Sequence, residues 1–287
     1  MGPSVLTVSE LAAIERLAVS PDRRVPGSGS GPHRSRSRGR SLDVVDWREY
    51  QPGDDPRSID VQAWARLDHV LVRLYEADVD LRVQLVVDTS ASMGFGGRLA
   101  QAARIAAALG VAALVRNETV SLCALGDAAP RRFRGRGSIP AFLDLIATWR
   151  AAGPTPLADV ARTLGATTRR SGVVVVVSDF LTPTALEAMD LFAMRREQVV
   201  AIQVVSDADE HPDALGEVQL VDAETGERVD VDMSPEVVEA FAARRAASRR
   251  ALEARMLRHG GRSVVVDSSA DLLSGVVPSL IERGVLR

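Results

Sequence analysis

The sequence contains no lysine, so all 35 of its basic residues are arginines. This absence excludes chemistry that needs a lysine: the P-loop phosphate site, Schiff-base catalysis and the Ser–Lys hydrolase dyad. Cysteine is almost absent too, and Cys123 stands alone, so no intrachain disulfide can form. Because Cys123 lies in the apolar run 120–125, we expect a buried and unreactive thiol.

Long hydrophobic runs are also missing. The longest purely aliphatic run is 173–177, far below the roughly 20 residues that cross a membrane. Glu10 and Glu15 interrupt the apolar N-terminal stretch, which is not typical of a secretory signal. We therefore expect a cytoplasmic protein without a membrane-inserted segment. A net charge of −3 gives the whole molecule no general affinity for nucleic acids or membranes.

The composition changes along the chain indicate four segments. Residues 1–20 contain the pattern of a short amphipathic helix, which Ser9 is able to cap. Residues 21–40 are rich in Arg, Gly, Ser and Pro and predict a flexible linker. Its arginines at 34, 36, 38 and 40 leave open a contact with phosphate or an acidic partner, although a solvated linker is favoured. A short segment (41–80) then precedes the main domain (81–287).

From residue 83 onward, short apolar runs alternate with helical patterns. The runs 83–87, 119–125, 173–177, 199–205 and 263–266 predict strands, and residues 215–232 predict a hairpin. A long helix is expected over 234–258, with Ser234 as its cap and Pro235 at its first position. This alternation predicts an α/β fold with a mostly parallel sheet and helices on both faces. Such sheets bind ligands outside the carboxyl ends of their strands.

Hard oxygen ligands follow the predicted strands. The run 83–87 leads into Asp-Thr-Ser-Ala-Ser, the run 173–177 leads into Ser-Asp, and Gly-Pro-Thr-Pro precedes a helix at 157. These three segments contain neither histidine nor cysteine, which favours Mg²⁺ over zinc, copper or iron. The candidate metal ligands are Asp88, Ser90, Ser92, Thr155 and Asp179.

A second interpretation of the same residues is structural, because Ser and Asp commonly cap helices after strand-to-helix turns. We favour the metal site because the Asp88-x-Ser90-x-Ser92 loop, Thr155 and Asp179 follow one another in this order after apolar runs. With only two carboxylates, such a site binds its ion weakly and leaves it electrophilic. An acidic side chain of a partner protein is then able to complete the coordination shell.

The pattern Asp88-x-Ser90-x-Ser92, followed by Thr155 and Asp179, resembles the metal-ion-dependent adhesion site of von Willebrand factor type A domains. The upstream stretch resembles the bacterial family of domain of unknown function fifty-eight. The matching residues upstream include Arg48, Tyr50, Gly53, Asp54, Asp55, Arg57, Asp60 and Arg66. The resemblance implies a von Willebrand A-like fold and a partnership with a MoxR-type AAA+ ATPase in assembly or remodelling of other proteins.

The chain departs from this family in two places. Val61 stands where the family usually has tryptophan, with Trp64 nearby. Many members carry N-terminal transmembrane helices, and none is visible here, so a membrane-tethered role is not expected.

The upstream stretch mixes acidic and basic residues, which has its own structural meaning. Asp54, Asp55 and Asp60 stand among Arg48, Arg57 and Arg66. That mixture predicts mutual ion pairs that tie residues 41–80 to the sheet, in preference to a catalytic acid cluster. A second docking surface is the alternative.

Three functions follow from these observations. The leading hypothesis is a non-enzymatic, Mg²⁺-dependent protein-interaction module. The first alternative is a hydrolase that uses Ser90, Ser92 or the bound Mg²⁺, although the Gly-x-Ser-x-Gly elbow is missing and no histidine is placed as a base. The second alternative is nucleic-acid binding through the arginine-rich arm, which lacks interleaved aromatic residues for stacking.

Overall fold

The computed structural model describes residues 5–20, 44–52, 54, 56, 59–67, 69–75, 81–127, 129–167, 172–194, 198–207 and 216–287. Contacts divide the chain into two compact units. The main unit combines Met1–Arg24 with Leu81–Arg287, and the second unit is Val25–Asp80. The main unit is therefore discontinuous in sequence. The predicted linker at 21–40 lies outside the described residues.

The elements of both units follow in chain order. The strands are β1 (Val44–Glu49), β2 (Leu71–Tyr75), β3 (Arg82–Val87), β4 (Thr119–Ala124), β5 (Arg131–Arg134), β6 (Val173–Ser178), β7 (Gln198–Val205), β8 (Gly216–Val221), β9 (Arg228–Met233) and β10 (Arg262–Asp267). The helices are α1 (Val8–Ile14), α2 (Val61–Leu67), α3 (Arg98–Val115), α4 (Ile139–Ala147), α5 (Leu157–Thr167), α6 (Ala185–Ala193), α7 (Pro235–Arg258) and α8 (Val277–Glu282).

The main unit is built on one six-stranded sheet with the order β10-β7-β6-β3-β4-β5. Every neighbouring pair from β10 to β4 is parallel, and β5 adds an antiparallel edge. Strand β3 lies at the centre, with β4 on one side and β6 on the other. The chain thus leaves β3 in one direction and returns on its other side, which makes the β3/β6 boundary the switch point of the sheet.

Helices cover both faces of this sheet. Helices α1, α3, α4 and α8 pack on one face, and α5, α6 and α7 pack on the other. Successive strand residues point to opposite faces, so Leu85 enters the first core and Val86 enters the second. Burial on both sides explains why the strands are continuous apolar runs. The predicted α/β class with a mostly parallel sheet is confirmed at this level.

Helix α3 is the central element of the first core. Gly110 allows the Phe142 ring of α4 to pack against the helix, because a Cβ there would lie 2.0 Å from the ring. Among the described helices, α3 alone has the length and apolar composition to cross a membrane, yet 72% of it is buried inside the protein. A helix in the core of a globular unit has the same composition.

The N-terminal segment belongs to this core. Ile14 is fully buried, and Val19 forms a bridge with Leu286. Ala18 and Arg287 exchange two backbone hydrogen bonds, each 2.9 Å long. Both ends of the main unit therefore meet beside α8.

Helix α1 begins two residues earlier than a cap at Ser9 would place it. Thr7 is the N-cap: its hydroxyl accepts from the Glu10 N–H, and the Glu10 carboxylate accepts from the Thr7 N–H. The expected cap at Ser9 was therefore wrong, because the reciprocal Thr–Glu capping box places Ser9 inside the helix.

Other local predictions are confirmed. Strands β8 and β9 form the predicted hairpin, and Ser234 caps α7 with Pro235 in its first turn. Cys123 is buried, and burial raises the pKa of its thiol to about 11, with Asp127 adding to the effect. The free thiol is therefore protonated and unreactive at neutral pH.

The second unit contains a two-stranded antiparallel sheet, β1 and β2, and the helix α2. Asp60 caps α2, since its Oδ1 accepts from the N–H groups of Gln62 and Ala63, both at 3.1 Å. Its other oxygen accepts from the Trp47 indole at 2.9 Å. Asp60 thus fixes the start of α2 and its contact with β1.

Candidate cation site at the strand ends

The candidate site lies at the switch point of the sheet. Asp88 directly follows β3, and Asp179 directly follows β6, its parallel neighbour. The Asp88 N–H donates to the Val177 carbonyl at 2.8 Å, so the two strand exits stay in register beyond the strands. The topology therefore brings two carboxylates, 91 positions apart in sequence, to one end of the sheet.

Asp88 is held from both of its carboxylate oxygens. Oδ1 accepts from the Ser90 N–H at 2.9 Å, and Oδ2 accepts from the Ser178 hydroxyl at 2.6 Å. The side chain is 1% exposed. Burial raises the pKa of Asp88 most, and the neighbouring Asp179 raises it further, while the bonds from Ser178 and Ser90 lower it. A positive charge at this position would offset the cost of keeping Asp88 ionised.

Three side-chain oxygens, from Ser90, Ser92 and Asp179, lie in a row beside Asp88. The Ser90 and Ser92 hydroxyls lie 3.0 Å apart, and the Ser92 hydroxyl donates to Oδ2 of Asp179 at 2.8 Å. A Mg²⁺ octahedron with metal–oxygen distances of about 2.1 Å has adjacent oxygens about 3.0 Å apart. The spacing between these side chains therefore fits neighbouring ligands of such an ion.

Arg98 is a member of the site that sequence reasoning missed. Its guanidinium donates to Oδ2 of Asp179 at 3.1 Å, and both side chains are almost fully buried. The pair places one positive charge beside the two carboxylates. An arginine in the first turn of α3 faces the unfavourable end of the helix dipole, and that position is the signal in the sequence for a nearby carboxylate.

The backbone around Asp179 is fixed by unusual local geometry. Phe180 has a φ of +54°, a left-handed conformation that is uncommon outside glycine. The Asp179 carbonyl accepts from the Gln203 amide of β7 at 2.9 Å, and its Oδ1 accepts from the Leu181 N–H at 3.0 Å. These bonds leave Oδ2 directed at Ser92 and Arg98.

Thr155 lies in the loop before α5, close in sequence to the residues that bond to the Asp88 loop. That loop is bonded to the Asp88 loop twice: Ala91 donates to Gly153, and Ala152 donates to Thr89, each at 2.9 Å. The Thr155 side chain is nearly buried, and its hydroxyl donates to the Glu224 carboxylate from the tip of the β8–β9 hairpin. Glu224 is a second neighbour that no local pattern predicts, because 69 positions separate it from Thr155.

The five predicted ligands thus stand in two linked groups. Asp88, Ser90, Ser92 and Asp179 are joined by side-chain hydrogen bonds or adjacent backbone, and Thr155 lies on the loop bonded to them. Within the described residues, no group of three or more His, Cys, Asp or Glu side chains is placed to hold a metal. A cation at this end of the sheet would therefore need the hydroxyl oxygens as well as the two carboxylates.

The predicted signature motif of the second unit is described in part. Asp54 accepts from the Gln51 N–H at 2.9 Å, and Tyr50 and Arg66 are exposed. Gly53, Asp55 and Arg57 lie outside the described residues, as does the Arg48 side chain. The contacts of Asp54 and Asp60 are those of a turn and a helix cap. The predicted ion pairs stay a prediction.

The hydrolase alternative depends on a base beside Ser90 or Ser92. Of the two histidines that the structure describes, His259 contacts Asp190 at 2.8 Å, and His69 belongs to the second unit. The Ser92 hydroxyl instead donates to Asp179. His33 and His211, like the arginine-rich arm of the nucleic-acid alternative, lie outside the described residues.

Fold and site together define an α/β protein with a buried, oxygen-rich cluster at its strand ends. Residues 46–251 match the family model described as protein of unknown function DUF58. The chain belongs to this family. Uncharacterized proteins of Mycobacterium tuberculosis and Mycobacterium bovis are each 32% identical to it over 284 residues, which cover 95% of this chain and 89% of each relative.

Two solved structures are similar at lower levels. The conserved hypothetical protein BatB from Bacteroides thetaiotaomicron is 16% identical with a TM-score of 0.42, covering 71% of this chain and 98% of that one. An aerotolerance-related membrane protein from Bacteroides fragilis is 17% identical with a TM-score of 0.37, covering 65% and 92% respectively. Similarity this low carries no functional argument.

Proposed function

We propose that the chain is a von Willebrand A-like, non-enzymatic interaction module that binds a partner protein through Mg²⁺. Asp88, Ser90, Ser92, Thr155 and Asp179 would hold the ion, and an acidic side chain of the partner would complete its coordination. The expected partner is a MoxR-type AAA+ ATPase, or a protein that such an ATPase remodels.

The observation that carries this proposal is the spacing of the hydroxyl and carboxylate oxygens. The distances of 3.0 Å between the Ser90 and Ser92 hydroxyls and 2.8 Å between Ser92 and Asp179 fit adjacent ligands of an octahedral ion. Both carboxylates are buried, and Arg98 pairs with Asp179, so a cation would chiefly relieve the desolvation cost of Asp88. Bound there, Mg²⁺ supplies an electrophilic centre for an acidic ligand.

Calorimetric titration with MgCl₂ tests the site directly. We expect the wild-type chain to bind Mg²⁺ and the Asp88→Ala variant to lose at least about ten-fold in affinity, because one of two carboxylates is removed. The matched control is Asp144→Ala, which removes an exposed carboxylate from α4. Equal affinity in all three chains would contradict the proposed metal site.

Capture of a purified MoxR-type ATPase tests the proposed partnership. We expect the wild-type chain, but not Asp88→Ala, to retain the ATPase in buffer with Mg²⁺. Retention that survives excess chelator would show that the interaction does not use the ion. Turnover of phosphate or acyl esters that Ser90→Ala abolishes would favour the hydrolase alternative instead.

A further inference from the structure

The tip of the β8–β9 hairpin presents a carboxylate to the Thr155 side of the site. Oε1 of Glu224 accepts from the Thr155 hydroxyl at 2.5 Å, and Oε2 accepts from the Thr155 N–H at 3.1 Å. Two donors of one residue therefore hold both oxygens of one carboxylate. Thr155 lies just before α5, where the helix dipole also favours a negative charge.

The hairpin tip is shaped to present this glutamate. Oδ1 of Asp222 accepts from the N–H groups of Glu224 and Thr225, both at 2.8 Å. Gly226 closes the turn with a φ of +74°, a conformation that glycine adopts at no steric cost. Asp222 is fully exposed, and these backbone bonds hold its pKa below the ordinary value, so the turn keeps this form at neutral pH.

Burial does not account for the position of the hairpin tip. Most residues of β8 and β9 are exposed, including Leu220, Val221 and Val229. The contact between Glu224 and Thr155 is thus a polar contact at the end of a projecting element. An element of this kind is able to move away without opening the core.

We propose that Thr155 is the carboxylate-binding position of the cation site and that Glu224 is its internal occupant. An acidic side chain of the partner replaces Glu224, and the hairpin then leaves the site. The inference rests on the proposed function, because a carboxylate bonded to the Thr155 hydroxyl lies beside any ion that this oxygen binds. A tethered ligand has a millimolar effective concentration and therefore excludes weak competitors.

The test compares the wild-type chain with Glu224→Gln and with the matched control Glu227→Gln. Glu227 is exposed in the same turn, and its substitution makes the same change in charge. Two quantities are measured: Mg²⁺ affinity by calorimetry, and the response of the Thr155 amide resonance to sodium acetate in the presence of Mg²⁺. Sodium chloride at equal ionic strength is the blank.

We expect Glu224→Gln to weaken Mg²⁺ binding about ten-fold, since a carboxylate ligand is lost. We also expect it to lower the acetate concentration at half-maximal shift about ten-fold, since the internal competitor is removed. Glu227→Gln should stay within about two-fold of wild type on both measures, as expected for an exposed charge.

The opposite results separate the two proposals. If wild type binds Mg²⁺ and Asp88→Ala does not, while Glu224→Gln behaves as Glu227→Gln does, the internal ligand is disproved and the metal site stands. If none of these chains binds Mg²⁺, the proposed function fails and the internal ligand fails with it.

Discussion

At the scale of single residues, the site balances two buried carboxylates against one buried guanidinium. Asp88 and Asp179 are 1% and 2% exposed, and Arg98 is 3% exposed. The Arg98–Asp179 pair neutralises one carboxylate, and Asp88 depends on hydrogen bonds from Ser90 and Ser178. The guanidinium already supplies positive charge beside Asp179, where a bound cation would supply it. Arg98 therefore stabilises the buried Asp179 carboxylate, and it would compete with a cation bound beside it.

This competition gives a prediction for Arg98→Met. Removing the guanidinium leaves Asp179 as an uncompensated buried charge, which we expect to lower the free energy of unfolding by about 3 kcal/mol without Mg²⁺. Mg²⁺ should restore part of that loss, and urea denaturation with and without the ion measures both.

The control for that experiment is Arg136→Met, which removes a surface ion pair with Glu15. We expect it to cost less than about 1 kcal/mol, because exposed ion pairs are screened by solvent. Equal losses in the Arg98 and Arg136 variants would refute the role assigned to Arg98.

At the scale of elements, the contact between α3 and α4 decides how closely the first core packs. The Phe142 ring is fully buried against Gly110 and contacts Phe133 edge-on, with ring centroids 5.3 Å apart. The Phe142 ring of α4 thus fills the space beside Gly110, and Phe133 of the edge strand β5 packs against that ring. Glycine in a helix normally costs stability. Here the close packing of the Phe142 ring explains why glycine occupies position 110.

We predict that Gly110→Ala destabilises the protein by about 1–3 kcal/mol, despite the better helix propensity of alanine, because the new Cβ overlaps the Phe142 ring. Chemical denaturation measures the loss. Gly137→Ala is the control, since its Cβ would meet no atom within 4 Å. Adding Phe142→Leu to Gly110→Ala should recover stability, and a further loss would contradict the steric explanation.

Most elements with strong local signals were predictable. The apolar runs of β3, β4, β6, β7 and β10 fall within one residue of the predicted bounds, and α5 begins at the predicted residue 157. Strand β5 was missed because its sequence is Arg-Arg-Phe-Arg, and an exposed edge strand needs no apolar face. The antiparallel pair β1–β2 was missed because its surroundings are rich in charge rather than in alternating apolar residues.

The candidate site was predictable only where a residue follows a strand. Asp88 and Asp179 share an end of the sheet because parallel neighbours end together, which strand order alone implies. Arg98 and Glu224 are joined to the site by contacts across 81 and 69 positions. Side-chain geometry fixes such contacts, and no local sequence pattern contains them.

At the scale of the whole molecule, the main unit is completed by a segment that is distant in sequence. Residues 5–20 supply the buried Ile14, the α1–α3 contact and the pairing with the last three residues. Glu10 of α1 also forms an ion pair with Arg104 of α3. The core of the main unit is therefore built from segments that are far apart in sequence.

We predict that Ile14→Ala lowers the free energy of unfolding of the main unit by about 2–4 kcal/mol, because a fully buried side chain leaves a cavity. The control on the same helix is Val8→Ala, whose side chain is 86% exposed. It should change stability by less than about 0.5 kcal/mol. Similar losses in both variants, measured by urea unfolding, would show that α1 contributes no specific packing.

The pairing of Val19 with Leu286 also constrains the order of events during synthesis. Residues 18–20 have their backbone partners at residues 285–287, which are translated much later. Until those residues emerge, the first core lacks Val285 and Leu286, which are buried in it. The bridge between Val19 and Leu286 therefore forms only after most of the main unit has been translated.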